Sequence, residues 1–225
     1  MKAIFLTALV IISFSLVLSD DRPENPPQWA DQFEQDFTET FTYPIIGHAT
    51  TNGKFFYDWT NKRYRVDREN GKWDRYCGTI YKFTDTPCTQ YVVEGKRYMD
   101  YSEKNYCCYC CDAEHGCGIL NKNWLSGATW EGYVNENGVE YEKWNKKGLQ
   151  NNFYWATKDT RVMYKMDQTP NDLQTFDVKS YYEGIRNNGI FDLPSRCNAS
   201  NTCPFLSVCT ALRSGLKKML EKPKH

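Results

Sequence analysis

From Gln35 the chain alternates with a period of two. Phe37, Glu39, Phe41 and Tyr43 fall on one side, with polar and β-branched residues between them. A strand points successive side chains to opposite faces, so this is the signature of sheet. Turn signals then recur at short spacing. Asn52-Gly53 separates 49–51 from 54–57, and Asn61-Lys62 separates that segment from 63–67. Asn70-Gly71 precedes an expected strand over 73–83, Glu94-Gly95 joins 90–93 to 96–99, and Asn137-Gly138 joins 130–134 to 139–144. Asn-Gly between alternating runs marks a hairpin, because both central residues take positive φ. Further strands are expected at 151–156, 161–166 and 173–183. The pattern predicts a mainly β, antiparallel fold of about ten or eleven strands.

The period changes near the end. Phe205, Val208, Cys209, Leu212, Leu216, Met219 and Leu220 recur at helical spacing, with Arg213, Lys217, Lys218 and Lys222 on the other side. Asn201 or Thr202 is placed to cap this helix, with Pro204 in its first turn. Two readings stay open: a helix docked on the sheet, or one lying on an anionic lipid surface. At the other end, Lys2, the apolar run 4–18 and Val17-Leu18-Ser19 have the form of a cleaved signal peptide. The expected organisation is a signal peptide at 1–19, a lead-in at 20–34, a β domain at 35–200 and an amphipathic helix and tail at 201–225.

Charge excludes one class of partner. The chain carries 28 basic and 28 acidic residues, with a mildly acidic body and a basic tail. Neither feature suggests nucleic acid. The ten cysteines are more telling: Cys77, Cys88, Cys107, Cys108, Cys110, Cys111, Cys117, Cys197, Cys203 and Cys209. With a signal peptide ahead of them, they read as disulfides in a secreted protein or one of a lysosome-like lumen. Zinc prefers separated pairs of ligands, so no metal and no cofactor are expected. In a strand Cys108 and Cys110 would point one way, Cys107 and Cys111 the other. Their connectivity stays open. Asn198-Ala199-Ser200 is a glycosylation sequon.

Catalytic signatures are missing from the sequence. His48 and His115 lack a nucleophile motif beside them, and Asp58, Asp67, Glu131 and Glu140 sit in polar-face contexts. The protein is expected not to be an enzyme; a hydrolase built on two carboxylates or on His48 is the third-ranked reading.

Several segments together resemble the ependymin-related family: Pro27-Gln28-Trp29, the hairpin from Phe56 to Asp67 through Tyr57-Asp58-Trp59-Thr60-Asn61, Cys77, Val93-Glu94-Gly95-Lys96-Arg97-Tyr98, Cys107-Cys108, the Trp144 strand, and Gly189-Ile190-Phe191-Asp192-Leu193-Pro194-Ser195-Arg196-Cys197. The doubled cysteine pairs and the tail beyond Cys197 depart from that pattern. The resemblance implies a curved sheet or half-barrel with helices in its concavity, similar to bacterial lipoprotein carriers. It implies an apolar pocket for lipid, secretion or lysosomal residence, glycosylation, sometimes a homodimer, and an association with calcium and matrix adhesion. It also implies Cys77 close to Cys197. Candidate pocket residues are Phe37, Phe41, Phe56, Tyr91 and Val93 in the first half, and Trp130, Tyr141, Phe153, Trp155, Met163 and Phe176 in the second. The expected function is binding of a hydrophobic ligand or lipid. The alternative is an extracellular matrix or glycan-binding role through exposed Trp73, Trp124 and Trp144.

Overall fold

The computed structural model describes residues 21–43, 47–72, 74–148, 150–168 and 170–214. Its strands are β1 Gln32–Tyr43, β2 Gly47–Asp58, β3 Arg63–Arg68, β4 Cys88–Val93, β5 Lys96–Tyr101, β6 Tyr106–Asp112, β7 Thr129–Glu136, β8 Val139–Lys147, β9 Asn151–Thr157, β10 Met163–Gln168, β11 Asp172–Phe176 and β12 Tyr182–Glu183. All twelve belong to one antiparallel, curved, open sheet in the order β6-β5-β4-β3-β2-β1-β11-β10-β9-β8-β7, with β12 also on β1. The single α-helix among the described residues is α1, Val208–Arg213. The chain therefore starts in the middle of its sheet, builds one wing, and returns through the β7–β8 hairpin to close on the far side of β1.

The mainly β fold stands as expected, with twelve strands where the pattern suggested ten or eleven. The differences are informative. Asn52-Gly53 is not a turn but the middle of β2, where Gly53 pairs with Phe37 and Arg68. A Cβ at Gly53 would collide with the Asp67 carbonyl oxygen and lie 2.8 Å from the Phe37 ring. The glycine serves close approach, not reversal. The real turn residues carry the positive φ: Lys62 at 55°, Glu94 and Gly95 at 51° and 72°, Asn137 and Gly138 at 53° and 80°.

The strand expected over 73–83 is instead irregular, with a 3₁₀ turn at Cys77–Thr79. The Asp74 carboxylate accepts from the backbone of Tyr76 and Cys77, and the Cys77–Cys88 disulfide pulls the segment onto β4. The expected 173–183 strand breaks at Val178–Ser180, leaving β11 and the two-residue β12. The expected lead-in boundary also moves. β1 begins at Gln32, and Trp29 is buried at the centre of the main core, where it packs edge-on against Phe33, Phe55, Tyr57 and Trp124. Its indole Nε1 donates to Tyr154 Oη at 3.0 Å.

All ten cysteines are paired: Cys77–Cys88, Cys107–Cys197, Cys108–Cys203, Cys110–Cys209 and Cys111–Cys117. Cys77 and Cys197, which the resemblance implied to be close, have separate partners and pack in different buried clusters. The strand geometry of the cluster is nearly as expected. However, the register of β5 with β6 shifts between Arg97 and Tyr98, whose partners are Cys111 and Tyr109. That irregularity takes Cys110 out of the pairing and turns Cys111 to join Cys108 and Cys110 in one buried cluster, leaving Cys107 in another.

The helix is shorter at its start than the spacing suggested. Its N-cap is Ser207, while Phe205 and Leu206 are 82% and 73% exposed. Leu216, Met219 and Leu220 lie outside the described residues, as does the signal-peptide region 1–19. Arg213 fastens α1 by donating to the carbonyls of Tyr109, Cys110 and Cys203.

Candidate ligand-binding cavity

Strand register sorts the candidate residues onto two faces. Phe37 pairs with Phe176 and Gly53, Phe55 with Val66, Val66 with Gln90, and Gln90 with Met99. These, with Tyr57, Tyr64, Arg68 and Arg97, define the inner face. Phe37, Phe41, Trp130, Met163 and Phe176 project to this side. Phe56, Tyr91, Val93, Tyr141, Phe153 and Trp155 do not: each is offset by one residue from an inner-face position, which reverses its side chain. The sequence shows that both faces are aromatic but not which face is enclosed.

The inner face bears a cavity of about 860 Å³. Its floor is the sheet: Phe37, Phe55, Tyr57, Tyr64, Val66, Met166 and Phe176. Trp29 and Trp59 add aromatic walls. The 113–120 loop supplies Ala113, Gly116, Gly118, Ile119 and Leu120, and Val208 and Leu212 of α1 close another side. The loop is held by the Cys111–Cys117 disulfide and by Tyr57, whose hydroxyl donates to the Leu120 carbonyl at 2.7 Å. The helix is held by Cys110–Cys209. The sulfurs thus shape the cavity without lining it. Of the eleven candidates, only Phe37 and Phe176 line it. Phe41 lies nearer a charged cluster, Trp130 stacks edge-on against Trp144 near the sheet edge, and Met163 is buried in the core.

The outer-face candidates have other partners. Tyr91 and Val93 pack with Leu193 and Cys197 of the returning C-terminal segment. Phe56 lies under Lys54 and Arg65. Tyr141 stacks on Tyr164 at 4.0 Å, with Trp155 beside them, and Lys143 lies 4.4 Å over Phe153. A second depression of about 740 Å³ reaches Tyr141 and Tyr164, but its rim is largely polar, with Asp36, Lys54, Glu69 and Lys179. The 860 Å³ cavity is the better apolar site because its aromatic floor is continuous and its volume falls in the range of small-molecule pockets.

At one end of the inner face sits a buried ionic network. Arg68 meets Glu39 at 2.5 Å and Asp74 at 2.7 Å; Arg75 meets Glu39 at 2.9 Å and Asp172 at 2.6 Å. Burial works to raise the Glu39 carboxyl, but Arg68 and Arg75 together hold it down at about 2. Burial, and then the Glu39 charge beside it, push Asp172 up to about 7 against the opposing pull of Arg75. Each arginine serves two carboxylates, so this network has no cation to spare.

Residues considered for catalysis fall elsewhere. His48 meets Thr42 Oγ1 at 3.0 Å on an exposed edge, and His115 meets Asp112 at 2.6 Å in its own loop. Asp58, expected on a solvated face, is buried and held by Gln32, Asn61 and Arg63. Asp67 is paired with Arg65. Glu131 and Glu140 are exposed. The tryptophans proposed for a flat glycan surface do not form one: Trp144 is 2% exposed and Trp124 packs against Trp29 and Tyr154, while Trp73 lies outside the described residues. Asn198 is in an exposed turn beside Cys197, where its Oδ1 accepts from Ser200.

No protein-family model and no curated protein matches the chain. Solved structures with a similar chain path include an uncharacterised conserved protein from Thermus thermophilus, at TM-score 0.46 and 8% identity, covering 76% of this chain and 90% of that one. A DUF1329 family protein from Desulfovibrio piger gives TM-score 0.37 and 7% identity over 75% and 92% of the two chains. A LolA-superfamily protein from Nitrosomonas europaea gives 0.33 and 8% over 76% and 90%. All three TM-scores are below 0.5 and assign no ligand; the cavity itself carries the functional reading.

Proposed function

We propose that this protein binds a hydrophobic small molecule of lipid size in the inner-face cavity and performs no catalysis. The observation that carries the reading is the 860 Å³ cavity with its aromatic floor and two disulfide-held walls. Filling such a space removes apolar surface from water at roughly 25 cal/mol per Å², so an acyl chain or comparable group is a suitable occupant. Five disulfides support residence in an oxidising compartment, either the extracellular space or a lysosome-like lumen. The resemblance to the ependymin-related family fits a curved sheet that binds lipid, although Cys77 pairs with Cys88 and packs in a different cluster from Cys197. Glycosylation at Asn198 fits its exposed turn.

Native mass spectrometry of protein secreted from cells, followed by organic extraction, tests the reading. The expected result is a co-purifying apolar molecule, displaceable by a fluorescent fatty-acid probe. Protein that emerges empty and ignores every apolar probe would rule the carrier function out.

A further inference from the structure

Among the described residues, the charged groups that line the cavity are all of one sign: Lys62, Arg68 and Arg97, with no aspartate or glutamate. Arg68 is neutralised from behind by Glu39 and Asp74. Arg97 has no carboxylate partner among the described residues; its guanidinium lies 5.8 Å from the Tyr64 ring centroid, and its buried Nε has no hydrogen-bond partner. Gln90, on the neighbouring strand, is 3% exposed, lines the same cavity, and leaves its Nε2 without an acceptor.

Buried donors without acceptors are costly, and a half-buried guanidinium with no carboxylate beside it favours an anion. The two unsatisfied donors also sit close together. Gln90 pairs with Met99 and Arg97 with Val92, so they are diagonal neighbours on the inner face of β4 and β5. Tyr64, opposite Val92 on β3, borders the same spot. Lys62 stands beyond it in the exposed β2–β3 turn, its Nζ held 3.0 Å over the Trp59 ring. The apolar residues Phe37, Met166 and Phe176 come from strands on the other side of the cavity.

The geometry points to an anionic amphiphile with a single carboxylate headgroup, of fatty-acid type, as the ligand class. Its carboxylate sits against Arg97 and Gln90, and its chain lies along Phe37, Met166 and Phe176. A guanidinium and an amide supply the donors that two carboxylate oxygens accept, and the apolar surroundings strengthen the charge-assisted bond. Lys62 at the rim contributes attraction during entry. The assignment rests on the reading of the cavity as a hydrophobic-ligand site and adds the headgroup it selects.

Titration of the delipidated full-length protein with oleate and with methyl oleate, at neutral pH, tests the assignment. Oleate is expected to bind at least about tenfold more tightly than the ester, a difference of roughly 1.4 kcal/mol. Arg97→Met is expected to abolish that preference by weakening oleate binding at least about tenfold more than methyl oleate binding, and Arg97→Lys to restore part of it. Retained ester binding shows that each variant has folded. Equal binding of acid and ester by the unmodified protein, or an acid preference that survives Arg97→Met, overturns the headgroup assignment alone. Binding of neither probe overturns the hydrophobic-ligand reading as well.

Discussion

The two wings of the sheet are held by different means. The wing of β3 to β6, with the C-terminal segment that returns across it, contains every cysteine and all five disulfides. The wing of β7 to β11 contains none. It relies on continuous ladders, the Tyr141–Tyr164 stack, and ion pairs such as Lys165 with Glu136. The first wing has irregular segments to hold: 74–86, 113–120 and 191–207. Such segments have no ladder of backbone hydrogen bonds and open at lower cost unless tied down. Three of the disulfides join residues 90, 95 and 99 positions apart, where closing the loop restricts the unfolded chain most in the entropic account. Disulfides therefore appear where strand pairing stops, and two of them hold cavity walls.

The contrast can be broken most sharply at the junction of the wings. Trp29 packs on β1 and β2 from one side and bonds Tyr154 of β9 on the other. Trp29→Ala should cost about 3–5 kcal/mol in denaturant-derived stability, more than any single staple, because it leaves a cavity and an unpaired hydroxyl. Next in size, replacing Cys110 and Cys209 together by serine should cost about 2–4 kcal/mol. The same double variant should weaken probe binding, since Val208 and Leu212 lose their anchor, and calorimetry would show both effects. A change of similar burial in β8 or β9, neither of which lines the cavity, should alter stability without altering affinity.

The ionic network gives an effect that depends on pH. Asp172, raised to about 7, binds a proton more tightly in the folded state than its ordinary value near 3.8 allows in the unfolded chain. The folded state therefore holds the extra proton, and stability falls as pH rises from about 4 to about 7, by at most about 1.4 kcal/mol per pH unit. Glu39 acts oppositely and lower: held at about 2, its contribution is present above 4.5 and lost as pH falls toward 2. Asp172→Asn should flatten the stability profile between pH 4 and 7, read from urea midpoints. The smallest expected effect is at the outer face. Phe153→Ala should leave fatty-acid affinity unchanged, whereas Phe176→Ala should reduce it several-fold, which separates the two aromatic faces in one binding assay.

Much of the fold is legible along the chain. Period-two alternation marks β1, and Glu94-Gly95 and Asn137-Gly138 mark real hairpins, because local backbone demands show in local residues. Asn52-Gly53 misleads because the same glycine that permits a turn also permits contact with Phe37 and Asp67, and only the partner strands decide between them. The expected strand at 73–83 misleads for a related reason. Its aromatic residues suit a sheet, but the Asp74 carboxylate and the Cys77–Cys88 bond give the backbone other partners. The site was less legible than the fold. Phe37 and Phe176 reach the cavity, but Phe55, Tyr57, Tyr64, Val66 and Met166 do so without having been singled out. A usable signal was present: pairing β1 with β2 places Phe55 and Tyr57, not Phe56, beside Phe37 and Phe33.

What the sequence determines by itself is a mainly β chain with strand-forming aromatics, tight hairpins and cysteines concentrated beside its irregular segments. Period, turn chemistry and composition act over a few residues, so they can be read there. Tertiary structure alone decides which aromatic face is enclosed, which cysteines meet, and that Arg97 and Gln90 lie together without an acid to answer them among the described residues. Those facts depend on register and on the path of the returning segment. A shift of one residue reverses a side chain, and partners nearly a hundred positions apart are chosen by the whole sheet.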